Sequence, residues 1–118
     1  MIMVMEIRRG DILLVDFEPV KESEQGRMRP AIVIQNNLLN RFTPLTIVIP
    51  LTSKIYEKEY PSNVVIPKEE SSLKNDSTAL TNQIRTIDKR RAIKKLGSLS
   101  PQIMKRVDRA IRVSLDLD

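Results

Sequence analysis

Three residue types that often carry chemistry are missing from this chain of 118 residues, which has no cysteine, no histidine and no tryptophan. Without cysteine, neither a disulfide nor a thiolate metal site can form, and a reducing compartment suits the chain. Without histidine, the commonest general base and the commonest zinc ligand are both absent. Any catalysis must therefore rely on carboxylates, arginine, lysine, tyrosine, serine or threonine.

Aromatic residues are also scarce, at 3% of the chain, which argues against an RNA-recognition-motif domain that stacks bases on an aromatic sheet. No apolar run approaches the roughly 20 residues that a membrane-spanning helix needs. The segment Met1–Met5 is apolar but short, lacks a basic n-region and is followed by Glu6, so we do not expect a signal peptide. We therefore expect a cytoplasmic protein without a membrane partner.

The composition that remains is that of a basic globular domain. Hydrophobic residues make up 41% of the chain, which is enough for a core, and its length favours a single domain over residues 1–118. The net charge is +5, with a pI near 9.7. This balance suits a polyanionic partner, but charge alone leaves open an ordinary basic protein.

Short β-branched runs bounded by glycine, proline and polar residues predict seven strands. The predicted strands are Asp11–Phe17, Ala31–Gln35, Leu45–Leu51, Asn63–Ile66, Ser77–Leu80, Gln83–Ile87 and Ile93–Leu96, the last ended by Gly97. Glu18–Arg29 and Thr52–Pro61 are predicted as long polar connections, a type that is often functional. We also expect Asp88 to cap a single turn through Lys89–Arg91.

One helix is predicted at the C-terminal end. Ser100 is a good N-cap, Pro101 suits the first helical position, and apolar residues then recur at helical spacing. Several short strands and one terminal helix predict a mainly β, α+β fold, in the form of a small and strongly bent antiparallel barrel.

The polar stretch before the second strand combines a carboxylate, amides and guanidinium groups. Residues 23–30 read Ser-Glu-Gln-Gly-Arg-Met-Arg-Pro, and Val33-Ile34-Gln35-Asn36 and Asn40-Arg41-Phe42 follow. With Gln83-Ile84-Arg85-Thr86-Ile87-Asp88-Lys89, these ordered blocks resemble the MazF/PemK toxins, messenger-RNA endoribonucleases of type II toxin–antitoxin systems. The resemblance spans nearly the whole chain. It implies an SH3-like barrel, a homodimer, an acidic antitoxin as partner, and single-stranded RNA as substrate.

RNA cleavage needs little from a protein, because the ribose 2′-OH can attack its own neighbouring phosphorus. A guanidinium can hold phosphate oxygens, a hydroxyl can stabilise developing charge and a carboxylate can accept the proton. The resemblance implies Arg29 and Thr52 as the catalytic pair, with an acidic residue at Glu24. Arginine is an awkward base because its pKa exceeds about 12. We therefore assign charge stabilisation to Arg29 and make Glu24 the candidate base. No metal or organic cofactor is expected, and the products would carry a 2′,3′-cyclic phosphate and a 5′-hydroxyl.

Further residues are candidates for RNA binding. In the Thr52–Pro61 loop, tyrosine can stack on unpaired bases and lysine can neutralise phosphates. The candidate RNA-binding residues are Ser23, Gln25, Arg27, Lys54, Tyr56, Lys58, Gln83 and Arg85. For Arg85 a structural alternative stays open, in which it pins a turn together with Asp88. The ten lysines and arginines between Arg85 and Arg112 could line an RNA groove, receive an acidic partner segment, or form a solvated face.

Two other functions remain as alternatives. One is a non-catalytic toxin of the CcdB type, which inhibits DNA gyrase through a C-terminal tail containing tryptophan. This chain lacks tryptophan, which weakens that alternative. The other is a non-catalytic RNA-binding barrel, since Arg29 and Thr52 could bind RNA without cleaving it.

Overall fold

A computed structural model describes residues 5–17 and 28–118. The strands are β1 (Asp11–Asp16), β2 (Met28–Val33), β3 (Leu45–Thr52), β4 (Asn63–Ile66), β5 (Ser77–Leu80), β6 (Arg85–Asp88) and β7 (Ala92–Ser98). The helices are α1 (Asn37–Phe42), α2 (Lys68–Ser71) and α3 (Pro101–Ser114), and a 3-10 turn covers Lys89–Arg91. Within residues 5–17 and 28–118, the model contains no helix that is both long and apolar enough to cross a membrane.

The strands form one antiparallel sheet in the order β4-β5-β3-β2-β1-β7, with β6 also paired to β3. Strand β3 is central: its N-terminal half pairs with β6, its C-terminal end pairs with β5, and β2 lies along its other edge. Register shifts along β1 and β7 are of the kind that increases bending. The predicted fold class is confirmed. The sheet stays open, however, because no pairing among the described residues joins β4 to β7.

Each face of the sheet carries a hydrophobic cluster. On one face, α3 packs Ile103, Val107 and Ala110 against the sheet, over residues that include Ile12 and Ile49. On the other face, Ile7 and Phe17 cover a second cluster. The alternation of side chains along each strand separates the two clusters, because successive residues point to opposite faces. Burial on both faces explains why β1, β2 and β3 contain apolar runs.

Most strand positions were predicted correctly, and β4 and β5 have the predicted bounds. The other five strands differ from the prediction at one or both ends, and two of these differences place Arg29 and Gly97 within strands. Strand β2 begins at Met28, so Arg29 lies within a strand and not in the preceding loop. Strand β7 continues through Gly97 to Ser98. A Cβ atom at Gly97 would lie 3.0 Å from the Ser71 carbonyl oxygen, so a larger residue would require that segment to shift by a few tenths of an ångström.

Helix α3 begins as predicted, with the Ser100 side chain accepting a hydrogen bond from the Ile103 amide and Pro101 following. Asp88 likewise caps the 3-10 turn, accepting from the Arg90 amide. The helices α1 and α2 were not predicted, since six and four residues are too few to show a helical period. In α1, Asn36 is the N-cap and accepts a hydrogen bond from the Leu39 amide.

Candidate active site

The register between β2 and β3 brings the two predicted catalytic residues together. Ala31 pairs with Pro50, Ile32 with Ile49 and Val33 with Val48, so paired residue numbers sum to 81. The pairing ends at Ala31, and the same register continued by two residues would set Arg29 opposite Thr52. Opposed residues in an antiparallel pair lie on the same face of the sheet, with Cβ atoms about 5 Å apart. The course of the two paired strands therefore brings Arg29 and Thr52 close together.

Arg29 and Thr52 line one cleft of about 340 Å³, here called the Arg29–Thr52 cleft. Both residues are partly exposed. Pro30 and Leu51 line it from the same two strands, and Ser53 follows directly after β3. The α2–β5 connection supplies Leu73, Lys74 and Asn75, and β5 supplies Ser77. The cleft thus combines a guanidinium, hydroxyl groups and an ammonium group, which are all donors suited to phosphate oxygens.

The Thr52 hydroxyl is already used as an acceptor, because the Lys54 amide donates to its oxygen at 3.2 Å. A hydroxyl has one proton to donate besides its lone pairs, so this arrangement leaves the proton available for a ligand. Among the described residues, Arg29 makes no side-chain hydrogen bond or ion pair, so its guanidinium is available to an anion.

Lys74 and Asn75 are cleft residues that the sequence did not single out. Lys74 is exposed at the edge of the cleft. Its connection is held in shape by the Asp76 carboxylate, which accepts a hydrogen bond from the Lys68 amide at 2.9 Å. The Leu73 amide also donates to the Ser71 hydroxyl at 3.1 Å. The sequence predicted only the strand that follows this connection, and no motif near Lys74 marked it as a site residue.

The predicted RNA-binding residues that the structure describes do not line this cleft, but some are connected to it. Thr78, opposite Thr52 on β5, donates from its hydroxyl to the Lys54 carbonyl at 2.8 Å. This bond fixes the start of the 53–62 connection. The Lys54 ammonium lies 4.7 Å from the centre of the Tyr56 ring. Tyr56 and Lys58 line a neighbouring groove of about 490 Å³.

Gln83 and Arg85 are exposed and do not line the Arg29–Thr52 cleft. The Arg85 guanidinium lies 5.0 Å from the centre of the Phe17 ring. Asp88 instead pairs with Arg90, at 2.9 Å. The alternative predicted from the sequence, an Arg85–Asp88 pair that stabilises a turn, is therefore replaced by an ion pair between Asp88 and Arg90. The remaining predicted site residues, Ser23, Glu24, Gln25 and Arg27, lie outside the described residues.

A larger cleft of about 650 Å³ lies near the opposite end of β3, among Arg8, Asn37, Arg41, Lys89 and their neighbours. Its polar groups are mainly used within the protein. The Asn40 side chain bonds to the Gln35 carbonyl, and Lys89 donates to the Asn40 carbonyl. Bonds of this kind stabilise α1, so we place the candidate active site in the smaller cleft.

Comparison with known proteins bears on both the fold and the family. The sequence model of the PemK-like, MazF-like toxins of type II toxin–antitoxin systems matches residues 8–115. Among solved structures, an endoribonuclease from a mycobacterial species has a TM-score of 0.79 at 20% identity, covering 97% of this chain and 95% of that chain. A mycobacterial endoribonuclease in complex with its cognate antitoxin has a TM-score of 0.77 at 20% identity, covering 95% of this chain and 97% of that chain. MazF from Deinococcus radiodurans gives 0.76 at 25% identity, covering 96% and 99%.

Proposed function

The chain belongs to the PemK-like, MazF-like toxin family of type II toxin–antitoxin systems, and on that premise we propose that it is an endoribonuclease that cleaves single-stranded messenger RNA. The observation that carries the proposal is the placement of Arg29 beside Thr52 in one open cleft. A guanidinium and a hydroxyl held side by side on two paired strands form a rigid donor pair for a phosphodiester.

The reaction is a transesterification within the RNA. The 2′-oxygen attacks the adjacent phosphorus, its proton passes to a base, and the bond from phosphorus to the 5′-oxygen breaks. The leaving 5′-oxygen takes up a proton, so the products carry a 2′,3′-cyclic phosphate and a 5′-hydroxyl. Glu24 stays the proposed base, since a carboxylate can accept the 2′-proton.

Arg29 and Thr52 act on the charge that develops at phosphorus. The guanidinium presents a planar fork of donors that matches two phosphate oxygens, and it is fully protonated when the RNA binds. The Thr52 hydroxyl adds one donor to the same oxygens. Donors that are already positioned before the reaction stabilise the transition state without reorganisation. The Arg29 guanidinium and solvent are the available proton sources for the leaving oxygen.

The RNA would leave the cleft along the 53–62 connection. Lys54, Tyr56 and Lys58 lie on this segment, directly after Thr52. Lysines there can neutralise phosphates, and tyrosine rings can stack on unpaired bases. We propose the same binding role for Ser23, Gln25, Arg27, Gln83 and Arg85.

We further propose that the active form is a cytoplasmic homodimer, regulated by an acidic antitoxin that covers the RNA groove. A net charge of +5 supports attraction to both an acidic protein and RNA. The structural neighbour in complex with its cognate antitoxin supports the same kind of partner.

Incubation with a long single-stranded RNA, followed by analysis of the new ends, tests the function. We expect discrete cuts with 5′-hydroxyl and 2′,3′-cyclic phosphate ends. A single 2′-deoxyribose at a mapped cut site should abolish cleavage there, because it removes the nucleophile. Binding should persist, because phosphate contacts dominate affinity. RNA binding without any cut would instead identify a non-catalytic binding protein, and normal cutting of the deoxy substrate would refute the mechanism.

A further inference from the structure

A row of paired residues crosses β3, β5 and β4 and connects the Arg29–Thr52 cleft to a second groove. Thr52 pairs with Thr78, and Thr78 pairs with Val65. Because adjacent strands are about 4.8 Å apart, Val65 lies about 10 Å from Thr52 across the sheet. Thr52, Thr78 and Val65 share one face, and Arg29 lines the cleft together with Thr52. A chain that occupies the cleft can therefore continue along this row.

The second groove, of about 490 Å³, lies at the far end of the row, and we call it the Tyr60–Arg106 groove. Val65 and Thr78 lie in it, and Tyr60 and Arg106 contribute the aromatic ring and the guanidinium used below. Tyr60 is 49% exposed. The ring of Tyr56, by contrast, already has the Lys54 ammonium 4.7 Å from its centre. Tyr60 is therefore the more accessible aromatic surface in this groove.

Arg106 reaches the groove from the other side of the sheet. Its helix, α3, packs on the face that contains Val64 and Ile66. Strand β4 is the last strand in the sheet order, so a long side chain can pass around its free edge. There the Arg106 Nη2 donates to the Val65 carbonyl at 3.3 Å. This bond positions the guanidinium, and its remaining N–H groups have no partner among the described residues.

The charge of the groove is mixed but favours an anion. Lys58 and Arg106 contribute positive charge, and Glu59 contributes one carboxylate. The carboxylate is an acceptor that an exocyclic amine of a base could use, while the two cations suit a phosphate. A face for stacking, a positioned guanidinium and a nearby acceptor are the groups that bind one nucleotide of a single strand.

We propose that the Tyr60–Arg106 groove is a nucleotide subsite for single-stranded RNA, in which Tyr60 stacks on a base and Arg106 binds a phosphate next to the reacting one. The subsite rests on the proposed function, because it takes the RNA strand that enters the Arg29–Thr52 cleft. The subsite adds an RNA contact from α3. The sequence pattern predicted this segment only as a helix with one face in the core and a basic surface.

The test uses binding alone, with a fluorescent single-stranded RNA of mixed sequence in which every ribose carries a 2′-O-methyl group. This probe cannot be cleaved, so affinity is measured by fluorescence anisotropy whether or not the protein is a nuclease. Tyr60→Leu should weaken binding about tenfold, since loss of base stacking costs roughly that much. Tyr60→Phe keeps the ring and should bind like the wild type.

Arg106→Ala should weaken binding and reduce the slope of log K against log salt by about 0.7, the value for one phosphate contact on a single strand. The matched control is Arg109→Ala, which removes the same charge from an exposed position on α3 that does not line this groove. The control should keep the wild-type slope. Tyr60→Leu should keep it as well, because stacking releases no counterion.

Equal affinity and slope for wild type, Arg106→Ala and Arg109→Ala would overturn the subsite. Equal losses of RNA affinity in Arg106→Ala and Arg109→Ala would also overturn it, because they would indicate only non-specific electrostatic attraction. These results are independent of cleavage. A wild type that binds through Tyr60 and Arg106 but never cuts RNA would keep the subsite and refute the nuclease, whereas a wild type that does not bind RNA would refute both.

Discussion

At the residue scale, the candidate chemistry depends on where each donor is anchored. Arg29 stands on β2 between β1 and β3, opposite Val15 on one side. A paired strand holds a side chain more firmly than a loop does, and precise placement is what stabilises a transition state. Thr52 is the last residue of β3, so its hydroxyl lies where the sheet opens into the 53–62 connection.

Removing either donor should slow RNA cleavage. Loss of one positioned donor typically costs on the order of 10²–10³ in rate, and we expect about that for Arg29→Ala. Thr52→Ala should cost less, because a neutral hydrogen bond is weaker than a charge-assisted one. The measurement is the single-turnover rate on one RNA, with circular dichroism as a check on folding.

Arg112→Ala on α3 and Thr86→Ala on β6 are matched controls, since both residues are exposed and neither lines the Arg29–Thr52 cleft. Both should cleave at the wild-type rate. Cleavage near the wild-type rate by a folded Arg29→Ala variant would remove Arg29 from the active site.

At the scale of elements, the chain uses side-chain caps to begin its short helices and turns. Asp88 ends β6 and opens the 3-10 turn Lys89–Arg91. Its carboxylate accepts hydrogen bonds from the Arg90 guanidinium at 2.9 Å and from the Arg90 amide at 2.8 Å. The side-chain bond, followed by the backbone bond, lowers the pKa of Asp88 from 3.8 to about 2.

This shift makes a small part of the stability depend on pH. Because the folded pKa lies below the unfolded one, the contribution is present above about pH 3.8 and is lost as the pH falls toward 2. Asp88→Asn keeps an acceptor but removes the charge. We expect its melting temperature to lie below that of the wild type at neutral pH, and the difference to shrink over that acidic range.

Thermal unfolding followed by circular dichroism provides the measurement. Asp118→Asn removes the same charge outside any helix or strand, and serves as the control. The Asp88 side chain is partly exposed and its partner Arg90 is almost fully exposed, so we expect a modest effect. A difference between wild type and Asp88→Asn that stays constant from neutral pH to pH 2 would contradict the role of the ion pair.

At the scale of the whole molecule, the composition limits the chemistry more strongly than any single motif does. With neither histidine nor cysteine anywhere in the chain, only carboxylates remain as strong metal ligands. Within the described part of the chain, no three acidic residues are grouped so that they could hold a metal ion. The substrate's own 2′-hydroxyl makes a metal-bound nucleophile unnecessary.

RNA cleavage should therefore proceed at the same rate in excess EDTA. The check is a comparison of initial rates with EDTA, without it, and with added magnesium, on RNA that is single-stranded in all three conditions. Activity that disappears with EDTA and returns with magnesium would show that the reaction needs a metal ion.

Much of the architecture follows from local sequence. Short runs bounded by glycine, proline and polar residues predict all seven strands, and in β1, β2 and β3 they contain apolar runs because residues on both faces are buried. Ser100 with Pro101, and Asp88 before Lys89, predict the start of α3 and of the 3-10 turn through cap chemistry that involves only near neighbours. The residue types themselves predict chemistry based on arginine, threonine and a carboxylate.

The tertiary structure alone decided which of these groups meet. Arg29 was predicted in a loop, and only pairing of β2 with β3 sets it beside Thr52. Lys74 enters the cleft through the α2–β5 connection, and Arg106 reaches the Tyr60–Arg106 groove around the edge of β4. Strand register and edge position are set by long-range packing, because shifting a strand by one residue turns its side chains to the other face. The sequence by itself thus determined the elements and the available chemical groups, and the fold determined their arrangement into a site.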